Sequence, residues 1–190
     1  MNRRAAIRNF AFFTAGIALI PSCMQEETKA SVTLKNIPLT GEQEKMLAAL
    51  TETILPKTNT PGAKDLATHL FVLKMVDDCY EKADREKFVK GMNLFEEYVK
   101  KQYKADFADC TVAQRTELLN EMERQQKNTP ADIILSHVKD FPKEAVPFYE
   151  TVKRLTVQAF VTSKFFLMDV RKFEMAPGRY HGCVPVSKKA

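Results

Sequence analysis

From residue 40 onward, apolar residues of this chain recur every three or four positions, and no stretch shows the sustained alternation that is typical of β-strands. This spacing places the apolar side chains on one face of an α-helix. Residues 40–43 and 111–114 also have the form of a capping box, in which a threonine and a glutamine three residues later close the start of a helix. The chain is therefore predicted to be all-α.

The pattern predicts about six helices, separated by prolines, glycines and polar residues. They cover residues 40–56, 66–80 and 84–104, then a helix from Thr111 to the polar stretch 125–128, a short helix capped by Thr129, and the apolar segment 147–173. Thr162 and Ser163 are expected to divide the last segment, because their side chains compete for backbone hydrogen bonds. Residues 176–185 contain two glycines and two prolines, which predict an ordered, non-helical tail.

The first 22 residues have the three parts of an export signal: basic residues up to Arg8, an apolar run at 10–20, and small or turn-forming residues before Cys23. The run is shorter than the roughly 20 residues that cross a bilayer, which favours a signal over a transmembrane helix. The Arg3-Arg4 pair resembles the twin-arginine signal, whose translocase carries folded proteins. The alternative is that both arginines only supply the positive start of an ordinary signal.

Residues 20–23, Ile-Pro-Ser-Cys, resemble a lipobox, in which the signal is cut before a cysteine that carries diacylglycerol. Pro21 departs from the usual small or aliphatic residue. Acylated Cys23 would be a lasting anchor, because each buried methylene contributes about 0.8 kcal/mol; the alternative is a cysteine present by chance. Residues 1–22 are therefore assigned to the signal, 23–38 to a polar tether, and 39–190 to one compact helical domain.

The formal charge of +5 does not indicate a nucleic-acid-binding protein. Arg3, Arg4 and Arg8 lie in the leader, and the other basic residues are interleaved with acidic ones. Binding to nucleic acid requires basic residues that cluster on one face. Paired acids such as Asp77-Asp78 are interpreted as solvated surface, because neighbouring residues on a helix do not share a face.

Few residues suggest catalysis or metal binding. No spacing typical of metal ligands joins any two of the histidines, and no nucleotide-binding or serine-nucleophile motif of the familiar kinds occurs. His181 and Cys183 could in principle activate a thiolate, which leaves a hydrolase or redox enzyme as one alternative. A bridge between Cys79 and Cys110 is not favoured, and both are interpreted as small buried hydrophobic residues.

Several segments together resemble the gluconate 2-dehydrogenase subunit 3 family, over nearly the whole chain. They are the Arg3-Arg4 pair, Leu39-Thr40, T-I-L-P at 53–56, T-P-G-A at 60–63, and the ending E-M-A-P-G-R-Y-H-G-C at 174–183. The resemblance implies a small helical subunit without a flavin, which accompanies a flavin-dependent dehydrogenase acting on sugars, sugar acids or polyols. FAD is expected in that partner, and a cytochrome c subunit is a further partner that the resemblance allows.

These observations lead to the expectation of a non-catalytic accessory subunit, lipid-anchored on the periplasmic side of the cell envelope, that guides export of the dehydrogenase and tethers it. The partner interface is expected in segment 148–173 and tail 176–185; the residues singled out are Phe165, Phe166, Arg179, Tyr180, His181 and Cys183. Alternatively, the aromatic residues build the protein's own core. A second functional hypothesis is a free-standing helical envelope lipoprotein that binds a small ligand or another envelope component.

Overall fold

The computed structural model describes residues 29–126 and 141–174, together with residues 178, 182 and 183. Apart from one isolated bridge between Lys29 and Thr40, all regular structure in these residues is helical, which confirms the all-α prediction. The α-helices are α1 (Gly41–Ile54), α2 (Thr68–Cys79), α3 (Lys82–Tyr103), α4 (Val112–Gln126) and α5 (Val146–Val161). Short 3-10 helices occupy Phe107–Asp109 and Lys143–Ala145, and a π-helix occupies Phe166–Val170. The predicted helix near Thr129 lies outside the described residues.

Both predicted capping boxes are present. At the start of α1, the Thr40 hydroxyl accepts the Gln43 N–H at 3.2 Å, and the Gln43 side chain accepts the Thr40 N–H at 3.2 Å. At the start of α4, the Thr111 hydroxyl accepts the Gln114 N–H at 3.3 Å, and the Gln114 side chain accepts the Thr111 N–H at 2.9 Å. Each pair satisfies backbone donors that would otherwise lack a partner at a helix start.

Helix α5 lies at the centre of the packing and contacts both α2 and α3. Its Phe148 ring lies 5.0 Å from the Phe88 ring and 5.8 Å from the Phe95 ring, both on α3, between ring centroids. The buried apolar side chains of α5 are Phe148, Tyr149, Val152, Leu155 and Ala159. The first half of the apolar segment 148–173 therefore builds the protein's own core.

Residues 29–39, which we call the strap, pack against the helical body. Ile37 is buried in the core cluster, and Val32 and Leu34 pack against that cluster. The strap includes most of the segment that the sequence assigned to a tether, so the described part of that segment is docked. The strap also contacts Asp77 at the end of α2. Asp77 is buried, so its interpretation as solvated surface is wrong.

Candidate partner-docking surface

The apolar segment 147–173 is divided where Thr162 and Ser163 were expected to divide it. Helix α5 ends at Val161, and the Thr162 hydroxyl donates to the Gln158 carbonyl at 2.8 Å. The Ser163 hydroxyl accepts the Phe166 N–H at 3.2 Å. The Thr162 hydroxyl bonds a carbonyl that also accepts the Thr162 N–H, and the Ser163 hydroxyl supplies an acceptor for the next helical turn. The chain after Val161 thereby leaves the axis of the core helix.

The segment that follows closes on itself through wide backbone turns. The Arg171 N–H donates to the Phe166 carbonyl at 2.9 Å, and the Phe173 N–H donates to the Leu167 carbonyl at 2.8 Å. Lys172, between these two donors, has a left-handed φ of 48°. A left-handed residue is a common way to end a helical segment, because it lets the last carbonyls find partners. The backbone of this turn is consequently held in place by local bonds.

Three phenylalanines form an aromatic cluster at the junction. The ring of Phe160, in the last turn of α5, lies 5.4 Å from the Phe166 ring and 6.3 Å from the Phe165 ring. All three side chains are half-buried. Tilted ring pairs at these distances stabilise each other beyond the burial of their area. The structure therefore brings Phe165 and Phe166 together, as two of the residues singled out from the sequence.

Exposed apolar side chains are concentrated in residues 157–173, the stretch that contains this cluster. Of the six large apolar residues that are exposed in the described part of the chain, only Val112 lies elsewhere. Met168, Val170 and Phe173 are 54%, 52% and 52% exposed, respectively. The other five of the six lie within residues 157–173, and we call them together the C-terminal surface: Val157, Val161, Met168, Val170 and Phe173. An apolar concentration of this kind on an otherwise polar protein is typical of an interaction site.

Charged residues accompany the C-terminal surface. Lys164, Arg171 and Lys172 are exposed in the same segment, as are Asp169 and Glu174. A polar margin around an apolar centre is the usual anatomy of a protein–protein interface. The sequence singled out Phe165 and Phe166 as interface residues, whereas in the structure Met168, Val170 and Phe173 are the more exposed side chains. The helix break at Thr162 is the sequence signal that marks where the register of the core face ends.

The remaining singled-out residues are not all described. Cys183 is exposed. Arg179, Tyr180 and His181 lie outside the described residues, as do the targeting residues Arg3 and Arg4 and the lipidation candidate Cys23.

The two cysteines of the helical body have different surroundings and form no bridge. Cys110 is buried, and burial raises the pKa of its thiol above the usual value. Cys79 is exposed, so its interpretation as a buried hydrophobic residue is wrong. Cys79 is the last residue of α2.

The described residues include no group of three or more histidine, cysteine or acidic side chains that could hold a metal ion. Within the same residues, no helix combines the length and the apolar character needed to span a bilayer. His69 is largely buried, with Nε2 3.9 Å from a Glu44 carboxylate oxygen, and burial lowers the pKa of its imidazole.

The sequence model of the family described as gluconate 2-dehydrogenase subunit 3 matches residues 41–178. The chain belongs to the gluconate 2-dehydrogenase subunit 3 family. No curated protein and no solved structure matches the chain significantly. The family match supports an accessory role beside a dehydrogenase, and it includes the whole C-terminal surface.

The T-P-G-A segment within the family match has a structural explanation. A Cβ atom added at Gly62 would lie 2.7 Å from the Lys57 backbone nitrogen and 2.7 Å from a Glu52 carboxylate oxygen. The Glu52 carboxylate accepts the N–H groups of Lys57 at 3.1 Å and Lys64 at 2.7 Å, which closes the loop between α1 and α2. Only glycine fits this approach without displacing the backbone.

Proposed function

We propose that this chain is the accessory subunit that accompanies a flavin-dependent dehydrogenase across the cytoplasmic membrane and then tethers it on the periplasmic side. Membership of the subunit 3 family is the observation that carries the proposal. In this proposal the partner holds FAD and oxidises sugars, sugar acids or polyols. A cytochrome c subunit that receives the electrons is a further proposed partner.

The C-terminal surface is the proposed docking site of the dehydrogenase. Burial of apolar area contributes roughly 25 cal/mol per Å², so covering Met168, Val170 and Phe173 would contribute substantially to binding. Exposed basic residues nearby, such as Arg171, would fix the orientation of the partner more than they add affinity. The half-buried cluster of Phe165 and Phe166 would support the contact from beside it.

The leader suggests how one signal would serve two chains. A flavoenzyme must bind its cofactor as it folds, and a translocase for folded proteins can then move the finished complex. In this proposal the dehydrogenase has no signal of its own and crosses the membrane bound to this chain. Cys23, once acylated, would hold the complex at the membrane.

Docking can be tested by affinity purification of the tagged chain from native membranes, followed by mass spectrometry and a flavin absorbance scan. The wild-type chain is expected to bring down a flavoprotein. The double variant Met168→Asp/Phe173→Asp should lose it, because two carboxylates would have to be buried at the contact. Val112→Asp is the matched control, since Val112 is an exposed apolar residue outside the C-terminal surface. A flavoprotein that stays bound to the double variant would refute docking at this surface, and its absence from wild-type membranes would refute the proposed role.

Export and tethering are tested separately by cell fractionation. Arg3→Lys with Arg4→Lys should leave both this chain and the dehydrogenase in the cytoplasm. Cys23→Ser should leave export intact and abolish acylation of the chain, which mass spectrometry would detect. Normal export of the dehydrogenase beside a retained Arg3→Lys/Arg4→Lys chain would contradict transport on a shared signal.

A further inference from the structure

A groove of about 610 Å³ lies between the strap and the first half of α3. Its apolar lining consists of Ile37 and Pro38 from the strap and Val89 from α3. The amide side chains of Asn36 and Asn93 also line it. This volume is typical of sites that bind a small molecule or part of one, and an apolar lining with a few polar groups is the usual composition of such sites.

The charged residues of the groove are mostly basic. Lys82, Arg85 and Lys90 line it, with Glu86 as the single acid. Lys82 Nζ lies 3.9 Å from a Glu86 carboxylate oxygen, so those two charges largely cancel. Lys90 makes no ion pair within residues 29–126 and 141–174. The groove therefore keeps a net positive charge, which favours a ligand with an anionic group and an apolar body.

Arg85 is the cation of the groove that also supports the fold. Its guanidinium donates to the Tyr80 carbonyl at 2.6 Å and approaches the Asp77 carbonyl at 3.4 Å. Both carbonyls belong to the end of α2, so Arg85 links that end to the start of α3. Its remaining N–H groups are held beside the groove by these bonds.

The groove lies close to the place where the described chain begins. Lys29 forms a β-bridge with Thr40, so the two ends of the strap lie side by side. A second depression formed by the strap shares Ile37 and Pro38 with the groove. Cys23 precedes Lys29 by six residues. Six residues reach at most about 20 Å when fully extended. A lipid anchor on Cys23 would therefore keep Lys29 and the adjoining groove near the membrane surface.

We propose that the groove binds the headgroup of an anionic phospholipid, with the phosphate at Arg85 and Lys90 and the glycerol and first acyl carbons against Val89 and Pro38. This inference rests on the proposed lipid anchor at Cys23. Basic pockets near the membrane surface are suited to anionic headgroups, because each lysine or arginine near the surface contributes to the attraction. The bound lipid would fix which side of the helical body faces the membrane. The arginine-rich leader has the wrong charge to occupy the groove.

The first test uses the acylated full chain in nanodiscs of phosphatidylcholine alone or of phosphatidylcholine with phosphatidylglycerol. Amide hydrogen exchange of residues 34–40 and 82–93 should be slower in the anionic discs. Lys82→Gln/Lys90→Gln should lose this protection. Lys87→Gln/Lys101→Gln should keep it, because these lysines lie on the same helix, are exposed and do not line the groove. Equal exchange in both kinds of disc, or equal loss in both variants, would overturn the proposal.

The second test separates the groove from the anchor. Short-chain phosphatidylglycerol, short-chain phosphatidylcholine, glycerol phosphate and inorganic phosphate are titrated onto the full chain in solution. Binding of short-chain phosphatidylglycerol should be the strongest, and Lys82→Gln/Lys90→Gln should weaken it by about 10- to 30-fold. Equally tight binding of either soluble phosphate would show that the groove binds free phosphate, and it would overturn the proposal that the ligand is a lipid. Protection of residues 82–93 by an acidic segment of the dehydrogenase, with no effect of lipid, would overturn it as well. A chain that carries no acyl group on Cys23 would refute the anchor alone, and this titration would still decide the groove.

Discussion

Asn36 is joined to Asp77 twice: its backbone N–H donates to Oδ1 of Asp77 at 2.8 Å, and its side-chain amide donates to the Asp77 carbonyl at 3.0 Å. The other carboxylate oxygen of Asp77 accepts the Lys35 N–H at 2.8 Å. Hydrogen bonds to an ionised carboxylate are stronger than those between neutral groups. These bonds hold the strap to the end of α2 and, with it, form one wall of the groove.

Asp77→Asn should destabilise the protein and release the strap. The substitution removes the charge and places an amide nitrogen where one carboxylate oxygen now accepts a backbone N–H. A loss of about 2 kcal/mol in the free energy of unfolding is expected, as for other buried hydrogen bonds to charged groups. Urea denaturation measures the loss, and limited proteolysis within residues 29–39 reports the release.

Asp78→Asn is the matched control for this substitution, because Asp78 is the exposed neighbour of Asp77 on the same helix. Its free energy of unfolding should stay within about 0.5 kcal/mol of the wild type. Equal stability of the two variants would show that the contacts of Asp77 do not hold the strap.

The contribution of Asp77 should depend on pH. Burial alone would raise the pKa of this carboxyl, but the N–H groups of Lys35, Asn36 and Ile37 and the charge of Arg85 outweigh burial and lower the pKa below 3.8. A carboxyl whose pKa is lower in the folded state stabilises the fold fully above the unfolded value, and this stabilisation is lost as the pH falls through the folded value. The stability difference between wild type and Asp77→Asn should be largest at neutral pH and shrink below pH 3.8.

Urea denaturation of both proteins at neutral pH and at successive pH values below 3.8 gives this difference directly. Both proteins must remain folded without urea at each pH for the comparison to be used. A difference that stays constant across the range would mean that the effect of the substitution is steric and independent of charge.

The helices and their caps are predictable because they depend on neighbouring residues. The Thr40 and Gln43 pair lies three positions apart, and so does the pair at the start of α4. The docking of the strap depends instead on residues 41 positions apart, Asn36 and Asp77. Helical spacing places Asp77 four residues after the buried Leu73 and Asp78 four residues after the exposed Lys74, but it does not reveal that the strap supplies the partners of Asp77.

The C-terminal surface shows a second limit of sequence reasoning. Apolar residues continue from Phe148 to Phe173, and their number alone does not tell whether they face the core or another protein. The structure divides them within the second half of α5: the apolar residues from Phe148 to Leu155 are buried, whereas Val157, Val161 and several later residues are exposed. The groove could not be predicted from α3 alone, because its other wall is the strap.

The thiols of Cys79 and Cys110 should react at different rates. Cys110 is buried, and burial raises the pKa of its thiol, so the reactive thiolate is both scarce and inaccessible. Cys79 is exposed at the end of α2. Brief treatment of the folded protein with iodoacetamide should alkylate Cys79 and spare Cys110, as measured by peptide mass spectrometry. The same treatment in urea should alkylate both, and rapid labelling of Cys110 without urea would contradict its placement in the core cluster.

Gly91→Ala should destabilise the protein, although alanine normally favours a helix over glycine by about 1 kcal/mol. A Cβ atom at Gly91 would lie 2.7 Å from Cβ of Phe148 and 3.1 Å from the Glu144 carbonyl oxygen, at the contact between α3 and the start of α5. Neither atom belongs to the far end of a flexible side chain, so the two helices would have to separate. Overpacking of this kind costs about 1–3 kcal/mol, which exceeds the gain in helix propensity at its upper end. Gly178→Ala makes the same chemical change where no atom of the described residues lies within 4 Å, so it should leave the free energy of unfolding nearly unchanged. If urea denaturation showed Gly91→Ala to be as stable as Gly178→Ala, the helices could not approach as closely as this contact requires.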